Sequence, residues 1–158
     1  LGARMSAFHA ILPSPLGPLL AESDGLGNLV RLGFDTAPPA GSRADDAAFQ
    51  RLDALMQRYF RRDPVEFDVP LAPEGTPFQA RVWAALREIP LGHTWSYTQL
   101  AARIGSNARA VGQANGKNPI AILVPCHRVI GNDGALVGYA GGLDRKRALL
   151  VLEGRLLC

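Results

Sequence analysis

The chain reads as an α+β protein. A small N-terminal antiparallel-sheet domain with one helix precedes a mainly helical C-terminal domain with a (winged) helix-turn-helix. Three observations predict this. Short apolar runs divided by turn residues fill the first third. Apolar residues recur at helical spacing through most of the second half. Between them, Ala72-Pro73-Glu74-Gly75 clusters Pro and Gly where the charge balance changes sign. Residues 1–76 carry 7 Lys/Arg against 10 Asp/Glu, and residues 77–158 carry 10 against 4. The expected domains are therefore 5–73 and 76–158.

In the first domain the strands are expected at Ala7 to Leu12, Pro18 to Ala21 and Leu29 to Phe34. They are separated by Pro13-Ser14-Pro15, Gly17 and Asp24-Gly25. Ala37 to Ser42 is a loop. Asp45 or Asp46 then caps a helix running to Phe60, with Phe49, Leu52, Leu55, Met56 and Tyr59 on one stripe. Arg61-Arg62-Asp63-Pro64 ends it. Phe67 to Leu71 reads as a last strand.

In the second domain Thr76 caps a helix starting at Pro77, with Phe78, Val82, Trp83 and Leu86 inward. Ser96 or Tyr97 opens a short helix to Ile104. Gly105-Ser106-Asn107 turns the chain, and a further helix covers Ala108 to Asn115. Two short helices joined by a tight glycine turn match a helix-turn-helix. Ile120 to Val124 reads as a buried strand-like run, Asn132-Asp133-Gly134 as a turn, and Leu143 to Glu153 as a closing helix.

Composition narrows the function. Apolar residues make up 47% and charged residues 20%, as in an ordinary globular protein. No apolar run approaches the roughly 20 residues that span a bilayer, and no secretory signal pattern is visible. The two cysteines, Cys126 and Cys158, do not make a disulfide framework, so a reduced cytoplasmic thiol is expected. Cys158 reads as an exposed terminal residue. His9, His93 and His127 lack metal-ligand spacing, so no zinc site and no cofactor are expected. Gly112 to Lys117 superficially suggests a phosphate loop, but three residues rather than four separate its glycines. The basic second half suggests a polyanionic partner.

Cys126 is the candidate nucleophile. A lone cysteine in an apolar segment is more often structural, but His127 follows it directly. Adjacent strand residues point to opposite faces, so the pair needs either a local bend, which Pro125 favours, or a bridging water. Glu153, at a helix end that disfavours an anion, is the candidate carboxylate to orient the histidine. Arg109 opens the second helix of the helix-turn-helix, where a phosphate contact is the commoner role.

Val124-Pro125-Cys126-His127-Arg128-Val129-Ile130 resembles the O6-alkylguanine-DNA alkyltransferases. Asn118-Pro119 upstream and Gly138-Tyr139-Ala140-Gly141-Gly142 downstream extend the match, which covers roughly Thr76 to Gly154. Pro15-Leu16-Gly17-Pro18 and Phe78-Gln79-x-x-Val82-Trp83 also look like this family. The resemblance implies direct-reversal repair: an alkyl group moves once, irreversibly, from O6 of guanine in double-stranded DNA (O4 of thymine being a further candidate) to Cys126. His127 would act as base through a water, oriented by Glu153. Asn118 would tie the helix-turn-helix to the active-site turn, and Tyr97 would donate to the guanine ring. Arg109 would replace the flipped nucleotide, with Ala110, Gln113 and Ala114 facing the minor groove. Val129 and the Cys126 backbone would accept from the exocyclic amine. Tyr139, Ala140 and Gly141 would line the pocket. The implied protein is a monomer, with cooperative loading on DNA left open. One departure stands out: the turn before Arg109 is about two residues shorter than usual. The alternative is a noncatalytic alkylated-DNA sensor, but those relatives lack the cysteine.

Overall fold

The computed structural model describes residues 6–156 and divides into two compact units, 1–74 and 75–158. Met5 and Cys158 lie outside the described residues.

The first unit is a four-stranded sheet, ordered β3-β2-β1-β4, with one helix. β1 (Phe8–Leu12), β2 (Leu19–Ser23) and β3 (Leu29–Gly33) form an antiparallel meander. Asp24 closes its second turn, accepting from the Leu26 and Asn28 amides at 2.9 Å. The sheet is not wholly antiparallel, because the short β4 (Arg43–Ala44) pairs parallel with β1. That strand sits just past the expected loop and carries no apolar pattern.

The segment expected as a strand at Phe67 to Leu71 makes only one bridge, Leu29 to Leu71. Leu29 donates to the Pro70 carbonyl and accepts from the Ala72 amide, both at 2.8 Å. Pro70 has no N–H to extend the ladder. Asp45 caps a 3₁₀ turn at Asp46–Phe49, accepting from the Ala48 amide, and α1 (Gln50–Phe60) follows. Its expected stripe is buried: Phe49, Leu52, Leu55, Met56 and Tyr59 all lie in the core.

The second unit is helical. α2 (Pro77–Leu86) begins with a reciprocal cap. Gln79 N donates to Thr76 Oγ1 at 3.1 Å, and Thr76 N donates to Gln79 Oε1 at 2.9 Å. α3 (Tyr97–Ile104) repeats the device with Ser96 and Gln99. Gly105 ends α3 with φ 70°, a left-handed conformation that favours glycine. Asn107 then caps α4 (Ala108–Gly116) through the Ala110 amide. The shortened turn is thus closed by local bonds on both sides. β5 (Trp95–Ser96) and β6 (Val129–Ile130) form a parallel two-stranded ladder beneath α3, and α5 (Leu143–Leu152) closes the unit.

Trp83 joins α2 to α4. Its ring is buried and its Nε1 donates to the Ala114 carbonyl at 2.9 Å. Gly75 makes room for that ring. A Cβ there would lie 2.4 Å from Trp83 Cη2 and 2.7 Å from Gln79 Oε1. Gly75→Ala should therefore cost about 1–3 kcal/mol of stability through overpacking. A thermal midpoint equal to that of the parent protein would refute the clash.

Candidate active site

Cys126 and His127 do not lie on a strand. The run Ile120 to Val124, expected as strand-like, is a series of tight turns with Ile122 at φ 71°. Asn118 imposes this path. Its Nδ2 donates to the carbonyls of Ile120 (3.1 Å) and Val124 (2.8 Å), and its Oδ1 accepts from the Ile120 amide at 3.0 Å. The Asn118 amide itself donates to the Asn115 carbonyl at the end of α4. Residues Cys126–Arg128 then form a 3₁₀ turn after Pro125. The pair therefore sits on a tight turn rather than on an extended strand.

Cys126 is a buried free thiol, 8% exposed. Burial pushes its pKa up, against opposing help from Asn118 and the Lys146 charge. The resting sulfur is therefore a thiol that needs a base. His127 is fully buried. Its Nε2 lies 2.7 Å from Glu153 Oε2. Burial holds the imidazole pKa below its ordinary value despite that carboxylate. A neutral ring donates Nε2–H to Glu153 and carries its lone pair on Nδ1, which is buried and has no hydrogen-bond partner.

Glu153 is the residue after α5, with its side chain 1% exposed. Its pKa falls to about 2: burial opposes ionisation, but hydrogen bonds and charge from His127 and Arg128 outweigh it. Arg128 Nε and Nη2 reach the two carboxylate oxygens at 2.8 and 3.1 Å, and Nη1 donates to the Ile89 carbonyl at 2.7 Å. Arg128 thus neutralises Glu153 and leaves His127 uncharged.

Two buried polar residues were not singled out from the sequence as site residues. Lys146 sat in the basic run Arg145-Lys146-Arg147, yet it is fully buried. Its Nζ donates to the carbonyls of Val129 (2.6 Å), Val137 (2.8 Å) and Gly138 (3.1 Å). Burial lowers its pKa to about 8. The readable signal was spacing, since 146, 149, 150 and 153 share one helical face around Leu149 and Leu150. The other is Asn115, 5% exposed on α4.

Of the remaining expected residues, Tyr97 is half-buried and its hydroxyl donates to the Val137 carbonyl at 3.2 Å. Burial raises its pKa. Tyr139 carries a buried hydroxyl without a hydrogen-bond partner, and burial raises its pKa further still. Ala140 is exposed and Gly141 half-buried, its carbonyl accepting from Arg145 at 3.2 Å. Val129 is buried. Arg109 and Gln113 are exposed and Ala110 half-buried on α4. Ala114 is a correction. It is 3% exposed on the inner face of α4, so its side chain does not face a groove, and its carbonyl accepts from Trp83 Nε1.

A depression of about 560 Å³ lies over this face, lined by Tyr97, Ala108, Arg109, Gly112, Gln113, Gly131 and Asn132. A separate hollow of about 280 Å³ in the first unit is lined by neither cysteine nor histidine. No group of three or more His, Cys, Asp or Glu able to hold a metal occurs among the described residues. No helix among them is long and apolar enough to cross a membrane.

Comparison with known proteins places this arrangement. Residues 77–155 match the family model described as 6-O-methylguanine DNA methyltransferase, DNA binding domain. Residues 7–73 match the corresponding ribonuclease-like domain. The chain is 51% identical over 151 residues to a methylated-DNA--protein-cysteine methyltransferase of Mycobacterium tuberculosis, covering 92% of this chain and 91% of that protein. It is 46% identical over 153 residues to one from Methanosarcina acetivorans, covering 93% and 98%. The crystal structure of Mycobacterium tuberculosis OGT in complex with DNA superposes with a TM-score of 0.87 at 47% identity, covering 93% of this chain and 92% of that one.

Proposed function

We propose, from the premise that the chain belongs to the 6-O-methylguanine DNA methyltransferase family, that it is a single-turnover methylated-DNA–protein-cysteine methyltransferase. It binds double-stranded DNA and removes the alkyl group from O6 of guanine by taking it onto itself. Residues 5–73 form the N-terminal α/β domain and residues 76–158 the DNA-binding and acceptor domain. The free cysteine fits a reducing, cytoplasmic setting.

The observation that carries the mechanism is the buried Glu153–His127 hydrogen bond, with His127 next in the chain to a buried, protonated Cys126. The thiol gives its proton, through a water, to His127 Nδ1. The sulfur then attacks the alkyl carbon in line. A C–S bond forms as the C–O6 bond breaks, and the electron pair passes into the guanine ring. The imidazolium is held by the Glu153 carboxylate, as in other Cys-His nucleophile systems. Tyr97 leaves the Val137 carbonyl and donates to the leaving base. The resulting thioether has no route back to a thiol in this chain, so each molecule acts once.

The base must leave the stack to reach a sulfur this deep. Arg109, exposed at the start of α4, fills its place, and Ala110 and Gln113 face the minor groove. Tyr139, Val129, Ala140 and Gly141 line the pocket. Asn118 fixes the turn that aims Cys126.

Mass spectrometry after incubation with an O6-methylguanine duplex tests the reading. One methyl group per protein, located on Cys126 and absent with undamaged DNA, is the expected result. Damage-selective binding with no mass change would identify a sensor instead.

A further inference from the structure

Asn115 presents an anomaly that stability does not explain. It lies on the inner face of α4 beside the buried Val111 and Ala114 and is itself 5% exposed. Its Oδ1 is buried with no hydrogen-bond partner. Its Nδ2 reaches only the Cys126 carbonyl, at the long distance of 3.5 Å. An unmet buried carbonyl is costly, and an apolar side chain there would avoid that cost. The position is therefore held by a polar group for another reason.

The neighbouring group supplies one. The Tyr97 ring packs over α4 at Gly112, where a Cβ would meet its Cδ1 and Cε1 at 3.7 Å. Asn115 follows Gly112 by three residues, on the same helical face. Asn115 also acts on the Tyr97 oxygen in the direction that favours its negative form. The amide thus lies beside both the reacting cysteine's carbonyl and the phenol.

We infer that Asn115 is a positioning residue that steers the Tyr97 hydroxyl onto the extruded base and stabilises the charge that builds on its oxygen. The inference rests on the alkyl-transfer reading. In the free protein the Tyr97 hydroxyl is committed to the Val137 carbonyl. When the base enters, that hydrogen turns to the ring of guanine. As guanine takes up the electron pair of the breaking C–O6 bond, the hydrogen bond from Tyr97 shortens and its oxygen gains negative charge. The Asn115 N–H then has an acceptor worth more than the distant Cys126 carbonyl. The proton count is unchanged, since Tyr97 shares its hydrogen without needing to lose it.

A double-mutant cycle on single-turnover methyl transfer tests this. Asn115→Leu is close in shape and apolar. It should slow transfer about tenfold with Tyr97 present and hardly at all in a Tyr97→Phe background. Equal slowing in both backgrounds would overturn the inference. Should the leucine protein fail to fold, Asn115→Ala is read through the same cycle. A second readout is independent of activity: in protein carrying ¹³Cζ-tyrosine, Asn115→Leu should move the Tyr97 titration to higher pH, and an unmoved titration counts equally against it. Parent protein that leaves Cys126 unmethylated would sink the alkyl-transfer reading itself. Transfer by the parent with an additive cycle would sink only the role of Asn115.

Discussion

Cys126→Ser protein should transfer no measurable methyl group from an O6-methylguanine duplex, a loss of about 10⁴-fold or more, while binding that duplex as the parent does. The size follows from the site. Burial already raises the pKa of the thiol, so in the proposed mechanism the ionised sulfur exists only while His127 holds its proton. An alcohol is a far weaker acid, and the same imidazole cannot ionise it usefully. Binding should persist because Arg109 and Gln113 are exposed on α4, whereas Cys126 is buried. Rapid transfer to another residue, found by peptide mapping, would remove Cys126 from the mechanism.

Glu153→Gln should be almost as damaging, and in two separable ways. The carboxylate accepts from His127 Nε2 and from Arg128 Nε and Nη2. An amide offers one acceptor oxygen and turns N–H donors toward the rest. Breaking a buried pair by neutralising one partner costs about 3–5 kcal/mol. The amide N–H also invites Nε2 to become the acceptor, which puts the ring proton on Nδ1 where the base lone pair is needed. A wrong tautomer costs on the order of 10⁴-fold in rate in the serine-protease precedent. A variant that keeps full transfer rate would show that Glu153 is purely structural.

The same carboxylate sets the acid limb of stability. Glu153 is held at about 2, below its ordinary 4.5, so its contribution is complete above about 4.5 and disappears as pH falls toward 2. His127 acts in the same direction: its folded pKa lies below 6.5, so the unfolded chain gains a proton first as pH drops. Unfolding free energy should therefore rise with pH from about 2 to about 6.5. In Glu153→Gln the part of that rise below 4.5 should flatten. A parent-like slope in the variant would place the acid lability elsewhere.

Much of this was readable from residues alone where the cause is local. Thr76 and Ser96 announce their helices because each caps the N–H group three residues ahead. Gly105 marks the turn because few other residues take a left-handed φ cheaply. What escaped depends on distant partners. The apolar run Ile120 to Val124 has strand composition, but the Asn118 side chain takes the carbonyls a ladder would use. Lys146 reads as surface charge until the three carbonyls around its nitrogen are known. Ala114 reads as groove-facing because a small residue suits both a groove and a packed interface, and its burial decides between them.

The depth of Cys126 also bears on how the protein keeps until it is needed. A repair molecule that can be spent only once is wasted by any stray oxidant or free alkylating agent that reaches its sulfur. An almost closed surface and a proton kept on the thiol make idle consumption slow. The molecule is thereby stored with its charge unspent, and the event that arms it is the arrival of a base that fits.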